Sequence, residues 1–307
     1  MISNEGPKVA KADINKDERE DIFIPGAKGQ ASAILTQNVK GDFNILNSPI
    51  LAQDSLAEDI LGVFFDANGD GFKDLMVGSG SIEFADNASY YRDRLYFNDG
   101  VGNFSKSNNI FSSKPTSFIL AEDFDKDGDK DLIIGYRSVP FAYGIPTGLE
   151  IWKNDGKGNF SNITNSFNPE LNSLGMLTDG QWVDLNQDGN MELIISGEWM
   201  PIRIFSFVDN DFRETSEQFG VQNTSGLWNK LMVEDVTRDG LPDIFGGNIG
   251  LNTRLYTTQE SPLQLIINDF DQNGSIEQIL VSSKDGKSIP WLMRNTLLKQ
   301  LPALRKQ

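Results

Sequence analysis

Short runs of β-branched and aromatic residues recur along this chain, each broken by glycine or by a cluster of acidic residues. Phe118-Ile-Leu-Ala121 leads into one acidic cluster and Leu132-Ile-Ile134 leaves it, while Leu193-Ile-Ile195 leaves another. Runs this short, bounded by turn residues, predict buried strands rather than helices. A second element follows: Leu95-Tyr-Phe-Asn98-Asp99-Gly100 and Ile151-Trp-Lys-Asn154-Asp155-Gly156, with weaker copies at Ile34 to Phe43 and Ile204 to Phe212. Asn-Asp-Gly between β-prone runs predicts a tight hairpin, because Asn and Gly tolerate positive φ. Trp152 and Trp182 sit in such runs and are expected in the core.

The acidic cluster occurs six times. Its oxygen-bearing residues are Asp13, Asn15, Asp17 and Asp21; Asp66, Asn68, Asp70 and Asp74; Asp123, Asp125, Asp127 and Asp131. They continue as Asp184, Asn186, Asp188 and Glu192; Asp235, Thr237, Asp239 and Asp243; and Asp269, Asp271, Asn273 and Glu277. First residues are 53, 57, 61, 51 and 34 positions apart. Each repeat reads as strand, acidic loop, strand, variable loop, strand, Asn-Asp-Gly turn, strand, and four strands in about 55 residues make one propeller blade. The expectation is an all-β chain, a single propeller over residues 1–307 with repeats starting near 10, 62, 118, 178, 230 and 263. About six blades follow from the spacing, with seven as the alternative and the short last interval marking an atypical closing blade. Leu297, Leu298, Leu301 and Leu304 have helical spacing interrupted by Pro302, so 295–307 is either a short helix against the propeller or the boundary of a further domain.

Spacing of the acidic residues carries the chemistry. Ca²⁺ takes six to eight hard oxygens, and side chains at loop positions one, three and five converge when the backbone turns sharply. Gly at position six permits that turn in five loops, position seven offers its carbonyl, and an acid at position nine closes every loop. Several bound calcium ions are expected, with the loop at Asp123 the richest in carboxylates. Glu18 replaces the turn glycine in the first loop, and Thr237 is a neutral ligand in the fifth. Mg²⁺ fits less well, since it demands tighter octahedral geometry and keeps its waters.

Composition sharpens this. The formal charge of −17 repels nucleic acid, and six calcium ions would bring it to −5. Cysteine and histidine are absent, which excludes disulfides, thiolate metal sites and the commonest general base. No apolar run is long enough to span a membrane. Met1 to Gly6 lacks the regions of a signal peptide, so an export signal would lie outside this sequence.

The acidic repeat, with Ala10-Lys-Ala-Asp-Ile-Asn15, Ile24-Pro-Gly-Ala-Lys-Gly-Gln30 and Arg94-Leu-Tyr-Phe-Asn-Asp-Gly100, resembles the FG-GAP/VCBS repeat proteins, whose fold is like the integrin α-chain propeller. Gly197-Glu-Trp-Met-Pro-Ile202, Gly247-Asn-Ile-Gly-Leu-Asn252 and Asp269-Phe-Asp-Gln-Asn-Gly274 resemble more narrowly the bacterial VCBS-repeat proteins associated with ASPIC/UnbV domains. The resemblance implies an exported protein, periplasmic or attached to the cell surface, with a binding role and with further domains of the same polypeptide as possible partners.

Three functions compete at this level: a calcium-stiffened module for a carbohydrate or protein ligand, a lyase-like polysaccharide enzyme using Tyr or Lys as base, and a spacer. The absence of His and of any Ser or Cys nucleophile motif weighs against the enzyme. In a four-stranded blade the first and third turns share one face, so acidic loops and Asn-Asp-Gly hairpins belong together. The second turns form the other face and gather Tyr91, Arg92, Tyr136, Arg137, Tyr143, Glu198, Trp199, Asn248 and Asn252 as candidate ligand contacts.

Overall fold

The computed structural model describes residues 6–209, 211–250, 257–258, 261–284 and 287–301. Consecutive strands pair antiparallel into small sheets. β1 (Ala10–Ala12), β2 (Asp21–Ile24), β3 (Ala33–Gln37) and β4 (Phe43–Leu46) form the first, and β5 (Asp59–Phe65), β6 (Asp74–Ser79), β7 (Arg94–Asn98) and β8 (Phe104–Lys106) the second. β9 (Thr116–Glu122), β10 (Asp131–Tyr136), β11 (Leu149–Asn154) and β12 (Phe160–Asn162) form the third. In the fourth, β13 (Met176–Val183), β14 (Glu192–Met200), β15 (Arg203–Val208) and β16 (Asp211–Glu214) follow the same order.

β17 (Gly226–Glu234) pairs with β18 (Asp243–Asn248) and also meets the end of β14 through Glu198–Leu227 and Met200–Gly226. β19 (Leu263–Asn268), β20 (Glu277–Lys284) and β21 (Lys287–Pro290) make the last sheet. The architecture is the all-β propeller that the repeat pattern predicts. Its helices are short: α1 (Pro49–Gln53), which the strand pattern did not signal, and α2 (Arg294–Gln300) near the C-terminus. α2 stops before Leu301, which is buried, and Pro302 lies outside the described residues.

The continuous apolar runs are explained by burial on both sides. Side chains alternate across a strand, so a sheet stacked between two others needs apolar residues at both parities. Leu75 and Val77 of β6 pack with Phe23 and Ile34 of the first sheet, while Met76 packs with Ile119, Leu132 and Ile134 of the third. Ile133 turns the other way, toward Leu177, Leu193 and Ile195 of the fourth sheet, and Ile194 turns toward Leu231 of β17. Each fully buried side chain of this kind contributes about 1.5–3 kcal/mol. Close stacking also fixes Gly135 and Gly180 against the ring of Phe118, which a Cβ at either would meet at 2.1 and 2.5 Å. On β17 and β18 only one parity is covered: Met232 and Phe245, opposite one another in register, are 48% and 43% exposed.

Candidate metal centres and the face opposite them

All six acidic loops fold into one shape. The carboxylate at position one accepts the backbone N–H of position six, at 2.8 Å for Asp13 and Asp66 and 2.9–3.1 Å for Asp123, Asp184, Asp235 and Asp269. Position six has positive φ throughout, including Glu18 at 66°, where a non-glycine residue bears the strain. Position four is left-handed as well, at 57–75°, although only Gly69 is a glycine among Lys16, Lys126, Gln187, Arg238 and Gln272. Two left-handed residues in three draw the oxygens of positions one, three and five toward one centre. The sequence pattern does not reveal position four, because its residues carry no common chemical signal.

Position nine closes the loop from below. Asp21, Asp74, Glu192, Asp243 and Glu277 each accept the N–H of position two at 2.9–3.2 Å. The second oxygens of Asp21 and Asp74, and Oδ1 of Asp131, accept the N–H of Gln37, Asn98 and Asn154 from the neighbouring hairpin strand. Asp131 departs from this pattern in one respect. Its Oδ2 is buried without a partner, as are Oδ1 of Asp123 and Oδ1 of Asp271. In two loops the carboxylates come closest: ligand oxygens of Asp123, Asp125 and Asp131, and of Asp269, Asp271 and Glu277, lie within 4.8 Å of one another. Such stranded acceptors at the centre of an oxygen cage fit a hard divalent cation.

Two loops already hold a side-chain cation. Arg19 pairs with Asp17 in the first, and Lys153 pairs with Asp125 and, at 3.0 Å, with Asp127 in the third. An ion entering the third loop must therefore share or displace an ammonium that the sequence pattern did not place there. Thr237 bonds to Asp243 within its own loop through its side chain as well as its N–H, and the N–H of Val236 is donated to Asp243 too.

Electrostatics respond to the crowding. Burial pushes Asp131 up to about 7, against the Asn154 hydrogen bond and with help from Asp125 and Asp127; Asp74 rises to about 6 for the same reason, and Asp21 and Glu192 also rise. A carboxyl raised in the folded state favours folding below its ordinary pKa, and that contribution is lost as pH climbs through the raised value. Asp131→Asn keeps the Asn154 contact and abolishes the charge. In chelator the variant should therefore match the parent near pH 4 and melt above it beyond pH 7, whereas in calcium it should melt below it. Thermal melts across pH with and without calcium read this directly, and the absence of a sign reversal removes Asp131 from the ligand set.

Hairpins and acidic loops share one face. Asn98 Nδ2 reaches Ile14 O at 2.7 Å in the preceding blade, and Asn154 Nδ2 reaches Ala67 O at 2.8 Å. Residues 66–134 and 123–195 match the FG-GAP-like repeat family. Each match begins at an acidic loop and ends in the second strand of the next blade, so each contains two loops of the shape just described. The chain carries FG-GAP-like repeats over residues 66–195. Curated proteins offer it no match. A crystal structure named for a “putative exo-beta-1,3-galactanase from Bifidobacterium bifidum s17” is 10% identical, with 94% of this chain and 92% of that chain covered and a TM-score of 0.42. Likeness at that level bears on neither activity nor ligand.

On the opposite face of this repeat protein the candidate contacts divide. Tyr91 is fully buried, its hydroxyl bonded to Phe84 N and O, and Tyr136 is buried with its hydroxyl on Glu150 at 2.8 Å. Both are interior packing groups here, correcting their reading as surface contacts; an aromatic ring with a hydroxyl suits either place. Arg137, Tyr143, Glu198 and Trp199 come together. Glu198 accepts from Arg137 at 2.7 Å and from Tyr143 at 2.5 Å, and Trp199, at φ 63°, donates to the Tyr143 hydroxyl at 2.9 Å. Tyr143 and Trp199 remain half-buried at the surface, Asn248 is exposed and accepts Gly250 N, and Arg92 lies in a cleft. Asn252 lies outside the described residues.

Proposed function

We propose that this repeat protein is a calcium-loaded propeller that works outside the cytoplasm as a ligand-binding module. The acidic loops hold the ions, and the opposite face presents the binding surface. The observation that carries the metal reading is the shared oxygen cage with buried, partnerless carboxylate oxygens on Asp123, Asp131 and Asp271. Calcium is structural here, since it neutralises converging carboxylates and ties the first turn of a blade to its second strand. Extracellular calcium modules bind at roughly 10⁻⁴–10⁻³ M, an affinity matched to a calcium-rich compartment. Among the described residues no helix is long and apolar enough to cross a membrane.

Calorimetric titration of chelated protein tests the reading. More than one calcium ion per chain should bind, magnesium should bind more weakly, and Asp271→Ala should remove one ion. No calcium uptake, or equal uptake of magnesium, would overturn it.

A further inference from the structure

Although the chain is strongly acidic, one cleft on the face opposite the acidic loops is lined by cations. It opens between the second turn of the β5–β8 sheet and the connections that enter and leave that sheet. Its volume is about 370 Å³, within the range of small-ligand sites. Arg94 is committed to the buried carboxylate of Asp59, and Lys106 to Asp54 at 2.6 Å. Arg92 is not committed. Among the described residues its guanidinium has no hydrogen bond or ion pair, and its Nε is buried without a partner, as is that of Arg94. The cationic guanidinium of Arg92 is thus left without a counter-charge at the cleft, which an anionic ligand would supply.

The neighbouring carboxylate does not cancel this charge. Asp93 is fully buried, and burial pushes it up to about 8 against hydrogen bonds from Ser79 N and the Thr116 hydroxyl, so it is mostly protonated at neutral pH. Beside polar side chains from Gln53 to Asn109, the cleft has an apolar rim: Leu56, Tyr90 and Ile110 are 57%, 41% and 69% exposed. An anion needing only charge would have no use for that rim. A planar carboxylate matches the guanidinium fork in two parallel hydrogen bonds, and an apolar body attached to it would cover the rim.

We propose that this cleft binds a small organic carboxylate, its oxygens on Arg92 and its body against Leu56, Tyr90 and Ile110. The inference rests on the opposite face being the binding face and is independent of metal in the acidic loops. Titration of the calcium-loaded full chain with N-acetylphenylalanine, D-galacturonate, N-acetylphenylalaninamide and inorganic phosphate tests it. N-acetylphenylalanine should bind best, galacturonate less well for want of an apolar body, and the amide and phosphate poorly. Arg92→Gln should lower affinity about tenfold or more, Arg92→Lys should restore part of it, and both should melt with the parent because the internal bonds of Arg92 are made by its backbone, which either variant keeps. Equal binding of acid and amide, tighter binding of phosphate, or no effect of Arg92→Gln overturns the assignment. Carboxylate binding lost in Trp199→Ala and kept in Arg92→Gln would leave the binding face standing and remove this cleft. Failed calcium uptake with intact carboxylate binding would remove the metal reading alone.

Discussion

Exhaustive chelation lowers the melting temperature of this protein, and calcium restores it further than magnesium does. The expectation follows from mass action: an ion bound only by the folded state stabilises it by about 2.7 kcal/mol per site at 100 times its dissociation constant. A domain of 150–250 residues shifts by roughly 2–4 °C per kcal/mol, so even two or three occupied loops move the transition well outside measurement error. Without ions the loop at Asp269 retains the converging carboxylates of Asp269, Asp271 and Glu277, and their repulsion adds to the loss. Asp271→Ala should abolish one increment of the calcium response. Asp17→Ala should matter less, because Arg19 already neutralises Asp17 and Glu18 strains the loop. Differential scanning calorimetry with chelator, magnesium and calcium arms decides it. Unchanged melting in chelator sinks the metal reading, and a larger effect at Asp17 than at Asp271 inverts the order of sites.

What was legible in the sequence is what side-chain identity alone determines. The alternation of apolar runs and acidic loops revealed the strands, because burial on both faces of β6, β10 and β14 demands apolar residues at both parities. Carboxylates at fixed spacing revealed the loops for a similar reason: oxygen donors must recur where the backbone turns. Four features stayed hidden because each depends on distant partners or on backbone shape. Position four is left-handed with no residue preference beyond one glycine. Lys153 enters the third loop from β11, 28 residues from Asp125. Tyr91 and Tyr136 were indistinguishable from Tyr143 by type, yet Phe84 and Glu150 hold the first two inside while Trp199 holds the third at the surface. The cleft at Arg92 was hidden likewise, since its meaning lies in the ion pairs that Arg94 and Lys106 make and Arg92 does not.

The first residue of the Asn-Asp-Gly turn has a larger role than its hairpin requires. Asn154 Nδ2 donates to Ala67 O at 2.8 Å and to Lys130 O at 3.1 Å, and its Oδ1 accepts Gly158 N. Ala67 is position two of the second acidic loop, and Lys130 is position eight of the third. One buried amide therefore ties two acidic loops in adjacent blades, Asn154 reaching Ala67 across 87 residues of sequence. Asn98 makes the same bridge from Lys73 O to Ile14 O, joining the first loop to the second. No side chain other than an amide supplies this geometry: two donors for two carbonyls and one acceptor for a turn N–H. Asn154→Ala strands both carbonyls, at about 1–3 kcal/mol for each. Asn154→Asp keeps the shape but turns a carboxylate toward two carbonyl oxygens, so it should cost at least as much. Because the bridge fixes both ends of the acidic cages, calcium affinity should fall in the second and third loops together while the Asp271 site is unchanged. Denaturant titration measures the first effect, and calorimetric titration in an Asp271→Ala background separates the second. A loss below about 0.5 kcal/mol, within the range of ordinary surface substitutions, would show that the amide is not the link between blades. A large stability loss with all calcium affinities intact would show that it joins the blades without shaping the loops.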